Sequence, residues 1–143
     1  VFAKGGGGRH RGWVRQRHLI VDRLGLVLGV VVGPSNRHDS YMARQVLRRV
    51  SEQLYSRLWL IFADSAYGVD LAKWALKTFN LMLRVVKVSE LGKFEVVPMR
   101  WKVERTFSWL NWSRRLSKDY ECEPVSHESF VYLSKINRMV KHL

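Results

Sequence analysis

The stretch "RLWLIFADSAYG" (57–68) gives the strongest indication of the fold in this sequence. Its first part, "RLWLIFA" (57–63), is an almost continuous apolar run, which predicts a strand buried on both faces of a sheet. Asp64 ends the run, and the small residues Ser65 and Ala66, then Tyr67, lead to Gly68. Because ligands collect at the carboxyl ends of strands in α/β sheets, Asp64 is a candidate ligand of a cation. On position alone, a cap of the following turn or helix fits slightly better.

Strands and helices alternate on both sides of this stretch and predict an α/β layer fold. Upstream, strands over 14–22 and 26–33 form a hairpin whose turn is bracketed by Asp22 and Gly25. A helix over about 40–56 begins after Asp39, a good N-cap, and has Met42, Val46, Leu47, Val50 and Leu54 at helical spacing.

Downstream, the pattern predicts a strand over 81–88 and three helices. The first helix covers about 67–79, and a long one covers about 98–113 after a loop that ends at Pro98. The last begins after a capping Ser126 and runs near the end of the chain. Its Leu133, Ile136, Val140 and Leu143 form one apolar stripe.

Length and composition indicate a single folded domain. The chain has 143 residues, of which 47% are hydrophobic, enough to bury a core. The segment 1–13 is Gly-rich and basic, and we expect it to be a flexible linker rather than a DNA-contacting arm. Cys122 is the single cysteine, which excludes an intramolecular disulfide and fits a reducing compartment. The chain does not begin with Met, so we expect it to be a piece of a longer protein.

The charge of the chain points to a polyanionic partner. Lys and Arg number 25 against 12 Asp and Glu, a net charge of +13. Nucleic acid is the first candidate and an anionic membrane surface the second. The longest apolar run, "LGLVLGVVVG" (24–33), is too short to span a bilayer.

Glu104 is the second candidate, in "RWKVERTFSWL" (100–110). On a helix, Val103, Phe107 and Leu110 form an inward stripe, and a polar stripe beside it comprises Arg100, Glu104, Ser108 and Asn111. A Glu at this border is able to face a cleft. Alone, an ion pair with Arg100 on a solvated face is the better interpretation.

The two acids together are more informative than either alone. Two carboxylates from distant segments of a basic protein suggest divalent metals acting on phosphodiesters, since Mg²⁺ prefers carboxylate oxygens. Two ions about 4 Å apart stabilise both the attacking and the leaving oxygen of an in-line displacement. The surrounding Lys and Arg would hold the phosphate backbone.

Weaker signals surround this pair. The segment "RRLSK" (114–118) closes the long helix with positive charge, which suits the helix dipole and also a DNA groove wall. Side chains at Trp101, Trp109 and Trp112 suit the core better than base stacking. His38, beside Asp39, fits a helix cap better than a metal ligand.

The segments "ADSAYG" (63–68) and "RWKVERTFSWLNWSRRLSKDYE" (100–121) resemble the DDE transposases of bacterial insertion sequences, in the group of insertion sequences four and five. The segments "RHLIVDRLGLVLGVVV" (17–32) and "SFVYLSKINRMVKHL" (129–143) are also similar to that family, so the resemblance covers almost the whole chain. It implies a ribonuclease-H-like fold, a mixed sheet flanked by helices.

The resemblance implies three metal-binding acids: an Asp on the first strand, an Asp just after the fourth, and a Glu on a late helix. Asp64 and Glu104 match the last two and become the catalytic, metal-binding residues. Arg100 matches the family's arginine, whereas Val97 and Asn111 stand where the family has tyrosine and lysine. Asp22 is the only positional candidate for the first acid, but it lies at a hairpin turn. We therefore expect the first acid and its central strand upstream of residue 1, so that the chain is the C-terminal part of a truncated catalytic domain.

The function implied by the resemblance is cut-and-paste DNA transposition with Mg²⁺, or Mn²⁺, as the cofactor. Asp64 and Glu104 would bind metal, and Arg100, Arg114, Arg115 and Lys118 would bind DNA. The active parent protein is expected to be a cytoplasmic, nucleoid-associated bacterial homodimer with no membrane partner. A non-catalytic nucleic-acid-binding module and a nuclease of the same fold remain alternatives, and the activity of this chain itself stays open.

Overall fold

The computed structural model describes residues 2–10, 13–54, 57–64, 67–86 and 100–141, which form a five-stranded sheet with helices on both faces. The strands are β1 (Phe2–His10), β2 (Trp13–Val21), β3 (Val27–Pro34), β4 (Leu60–Asp64) and β5 (Met82–Val86). The helices are α1 (Asp39–Leu54), α2 (Gly68–Phe79), α3 (Arg100–Asn111) and α4 (Pro124–Val140), with a 3₁₀ turn at Arg114–Leu116.

The sheet is mixed, with strand order β3-β2-β1-β4-β5. Strands β1, β2 and β3 are antiparallel, and β4 is parallel to both β1 and β5. Asp22 lies at the predicted hairpin turn, where its Oδ1 accepts the backbone N–H groups of Leu24 and Leu26, each at 2.8 Å. This bond pattern fixes the turn and confirms Asp22 as a turn residue.

The Gly-rich segment is the largest correction to the sequence analysis. Residues predicted to be a flexible linker form β1, which occupies the central position between β2 and β4. The central position in the sheet, which we expected a strand upstream of residue 1 to fill, is thus occupied by β1. Backbone N–H and C=O groups of glycine pair with neighbouring strands like those of any residue. The register of β1 shifts between Gly6 and Arg9, as a bulge allows.

Two hydrophobic clusters cover the two faces of the sheet. Ile20 and Val31 pack with Met42, Val46, Leu47 and Val50 of α1 and with Leu71 of α2. Their neighbours Leu19, Val21, Val30 and Val32 pack on the opposite face with Val103 and Leu110 of α3 and Val131 of α4. This division follows from the two-residue side-chain period of the strands. It confirms the described part of the apolar stripe predicted for α1, whose Leu54 side chain lies outside the described residues.

Helix α4 buries a different face from the one its apolar stripe predicts. Leu133, Ile136 and Val140 are 56%, 55% and 63% exposed, and Leu143 lies outside the described residues. The buried residues are His127, Glu128, Val131 and Lys135. Glu128 accepts the N–H of Val32 at 2.8 Å and also binds Arg49. The helix therefore covers the open edge of β3 through a hydrogen-bonding acid, and it begins at Pro124, a favourable first position, rather than after Ser126.

Two glycines in β3 allow a matched test of packing against α1. A Cβ at Gly29 would lie 2.3 Å from Cγ2 of the buried Val50, whereas a Cβ at Gly33 would meet the flexible end of Met42. The side chain of Val50 has a stiff χ1 angle and is fully packed, so it has no room to move away from an added methyl group. Gly29→Ala should therefore lower the free energy of unfolding by about 2 kcal/mol. This corresponds to a Tm lower by roughly 4–8 °C.

Gly33→Ala, the control on the same strand, should cost clearly less, since the methionine end is able to rotate away. Thermal and denaturant unfolding of both variants measure the difference. Equal loss in the two would show that Val50 does not fix the spacing of α1 and β3.

Candidate active site

Asp64 is the last residue of the fourth strand, as the sequence predicted for the end of this strand. Strand β4 pairs with β5 through Asp64 and Val86, and with β1 through Ala63 and Phe2. Ile61 and Ala63 are buried in the cluster against α1 and α2. By strand alternation, the half-buried Asp64 belongs to the opposite face of the sheet, where α3 and α4 pack.

Glu104 lies on α3, which packs on β1 and β2. Val103, Phe107 and Leu110 face the sheet, which confirms the inward stripe predicted for this helix. Glu104 is exposed beside Val103, at the border of that stripe. Strand alternation thus assigns Asp64 to the sheet face that α3 covers, and Glu104 is exposed on that same helix. The alternative ion pair of Glu104 with Arg100 involves a side chain outside the described residues.

Charged groups that sequence reasoning missed lie on β1 and at the start of α1, and one of them, Asp39, acts together with Asp64 on Tyr67. Lys4 of β1 forms an ion pair with Asp39 at 2.6 Å. The side chain of Asp39 is thus engaged with Lys4, and the first hydrogen bonds of α1 are accepted by the carbonyl of His38. This corrects the prediction of Asp39 as the N-cap.

Tyr67 and His18 show the electrostatic effect of this group. Burial raises the pKa of Tyr67, and the carboxylates of Asp39 and Asp64 raise it further. Burial lowers the pKa of His18, and Lys4 lowers it further against the opposing effect of Asp39. Both aromatic rings are therefore held neutral near Asp39. His18, Asp39 and Tyr67 lie on segments that are far apart in sequence. No local pattern could therefore have indicated that they affect one another.

The donor atoms of the two acids suit a hard divalent cation. Carboxylate oxygens are the ligands that Mg²⁺ prefers, and it is commonly bound by one or two carboxylates together with substrate phosphates. Within the described residues no group of three His, Cys, Asp or Glu side chains is arranged to hold a metal ion. Strand β1, at the position implied for a first acid, contains no Asp or Glu. The two acids alone would leave a metal ion under-coordinated, and DNA phosphates would have to supply further ligands.

The basic residues predicted to bind DNA lie on several elements. Arg114 and Lys118 are exposed. The segment 114–118 was predicted to close the long helix, but it follows the end of α3 and forms a separate 3₁₀ turn and the turn residues after it. Arg115 forms an ion pair with Glu121, with 3.0 Å between Nε and Oε1, which partly neutralises its charge. Arg100 begins α3, and its side chain lies outside the described residues. The turn is held by Leu116, which is fully buried.

A family model for the transposase DDE domain matches residues 2–133. The chain belongs to this family. Comparison with curated proteins and with solved structures gave no match. The match includes β1, so the Gly-rich strand is part of the transposase DDE domain.

Membership has direct consequences for the chemistry of the site. Transposase DDE domains act on DNA and generally use divalent metal ions, which agrees with the basic character of this domain. Among the helices in the described ranges, none is long and apolar enough to cross a membrane.

Proposed function

We propose that this domain catalyses DNA transposition by metal-dependent phosphodiester cleavage and strand transfer. The observation that carries the proposal is the position of Asp64 at the end of the fourth strand, on the sheet face covered by the helix of Glu104. Three features support a ribonuclease-H-like domain: a first strand in the centre of the sheet, an acid at the end of the fourth strand and a Glu on a late helix. The four resembling segments favour the group of insertion sequences four and five.

Asp64 and Glu104 are proposed as metal ligands, because they supply negative oxygens from two separate elements. Mg²⁺, with Mn²⁺ as a substitute, would supply activation of the attacking oxygen and stabilisation of the leaving oxygen. Arg100, Arg114, Arg115 and Lys118 are proposed to hold the DNA backbone, which fixes the reacting phosphodiester relative to the acids.

The assembly is proposed to be a homodimer, with one copy for each end of the element. A bacterial, nucleoid-associated location follows from the DNA substrate and the family. The alternative function, a DNA-binding module without activity, is favoured by the lack of an acid on β1. With two of three implied acids, the 143-residue chain is expected to bind DNA without cutting it.

A cleavage and joining assay tests the proposal. The chain and a second form, extended by the in-frame coding sequence upstream of Val1, are incubated with DNA carrying the element's ends. We expect Mg²⁺-dependent cutting and joining by the extended form alone, because a third acid in the residues that precede β1 would complete the metal site.

Three outcomes would contradict parts of this proposal. Cutting without joining would assign a nuclease, and binding without either reaction in both forms would assign a binding module. Strong cleavage by the 143-residue chain would show that its own residues complete the site.

A further inference from the structure

A groove of about 420 Å³ lies between the C-terminal ends of α3 and α4, apart from the two acids. Its lining includes Leu110, which is fully buried, and the paired hydroxyls of Ser113 and Ser134, 2.6 Å apart. The other lining side chains are aromatic, cationic or amide: Trp109, Trp112, Lys135, Asn137, Arg138 and Lys141. The described lining contains no Asp or Glu. The groove therefore combines aromatic and apolar surface with hydroxyl groups and positive charge.

Cations are crowded around the ring of Trp109. The guanidinium carbon of Arg138 lies 3.7 Å from the ring centroid, that of Arg105 at 4.6 Å and Nζ of Lys135 at 4.7 Å. Lys135 is buried and donates to the carbonyl of Gly25 at 3.0 Å. Burial lowers the pKa of Lys135 to about 8, and Arg138 and Arg105 contribute to this shift. A bound anion would relieve the mutual repulsion of these charges.

Trp112 provides a surface of a different kind at the same groove. Its side chain is 82% exposed, an unusual state for so large an apolar group. An exposed indole next to cations has the two properties that single-stranded nucleic acids require, a stacking surface for the base and positive charge for the phosphate.

We propose that this groove binds one unpaired nucleotide of a DNA strand, with the base stacked on Trp112 and the phosphate held by Arg138 and Lys141. The choice of DNA rests on the proposed function. The groove has the volume of a small-ligand site and admits a nucleotide but not a double helix. Bases within a duplex are stacked on both faces, so a free face is available only where the strand is unpaired.

The test compares binding of a single-stranded oligonucleotide of about 12 nucleotides with binding of the corresponding duplex. Chelator is present and the salt concentration is fixed. Trp112→Ala should weaken single-strand binding by about ten-fold or more, because it removes one stacking surface, and duplex binding by less than about two-fold. Trp59→Ala is the matched control, since Trp59 is 70% exposed and does not line the groove.

A second variant measures the phosphate contact. Lys141→Gln should reduce the dependence of log K on log salt for the single strand by about 0.7. Lys77→Gln, an exposed change on α2, should leave that dependence unaltered. Neither Trp112 nor Lys141 is buried, so both variants are expected to fold.

The proposal is overturned if Trp112→Ala leaves single-strand affinity unchanged or weakens duplex binding equally. It is also overturned if Trp112→Ala weakens binding to anionic lipid vesicles but not to the single strand. That result would assign the groove to a membrane surface. The binding assay contains no metal, so a failure of DNA cleavage in the transposition assay would not change the binding result. Conversely, a negative result here does not affect the proposed roles of Asp64 and Glu104.

Discussion

Replacing Asp64 by asparagine should lower the rate of DNA cleavage by about 10³-fold, or about 4 kcal/mol of activation free energy, in the cleavage-competent extended form. Asparagine keeps the size and one oxygen of the side chain but loses the charge that a divalent ion requires. Glu104→Gln should have a similar effect for the same reason. Single-turnover cleavage of end DNA with Mg²⁺ measures the rate, and DNA affinity should change little in either variant.

Asp70→Asn is the matched control for this experiment. Asp70 is an exposed acid in the first turn of α2, so the same charge is removed close to Asp64 in sequence. Its cleavage rate should stay within about two-fold of the unmodified protein, as for most surface substitutions. If Asp64→Asn and Asp70→Asn have equally small effects, Asp64 is a turn or cap residue and not a metal ligand.

Strand β4 and its terminal acid were predictable because their signal is local. A run of apolar residues reports burial on both faces, and the acid that ends it is visible in the sequence itself. The stripe of α3 was predictable for the same reason, since Val103, Phe107 and Leu110 recur at helical spacing. The assignment of Asp64 and Glu104 to one site, in contrast, came from the family resemblance rather than from spacing.

Strand β1 was not predictable because its residues carry almost no side-chain signal. A Gly-rich sequence has the composition of a linker, and pattern analysis has no periodicity to detect. What orders the strand is backbone pairing with β2 and β4, which are supplied by other parts of the chain. The contact of Lys4 with Asp39 could not be predicted for the same reason.

Helix α4 shows how tertiary partners override an apolar stripe. Its buried face contains Glu128, which accepts the backbone N–H of Val32 on β3. It also contains Lys135, which donates to the carbonyl of Gly25. His127 faces Asp119 at 3.0 Å. Each partner comes from outside the helix, so the polar face was able to become the inner one. Each of the three side chains has at least one hydrogen-bond partner, which offsets part of the cost of its burial.

DNA binding by this chain should weaken about 10³-fold between about 50 and 200 mM salt, with little dependence on DNA sequence. The net charge of +13 is distributed over several segments, chiefly 9–18, 44–57 and 100–118. Neutralising about six phosphates releases their condensed counterions, and added salt opposes that release. Fluorescence anisotropy with two unrelated duplexes measures both the slope and the specificity. A flat salt dependence would show that the positive charge serves another purpose.

Arg114 and Arg115 separate true phosphate contacts from general positive charge. Arg114 is exposed, whereas Arg115 already forms an ion pair with Glu121 at 3.0 Å, and its guanidinium carbon lies 5.1 Å from the Phe130 ring centroid. Removing Arg114 should therefore reduce the salt slope by about one, as expected for the loss of one phosphate contact. Arg115→Gln should reduce it less, because the pair with Glu121 is close to neutral. Equal reductions in the two variants would mean that DNA displaces Glu121 and that both arginines contact the phosphate backbone.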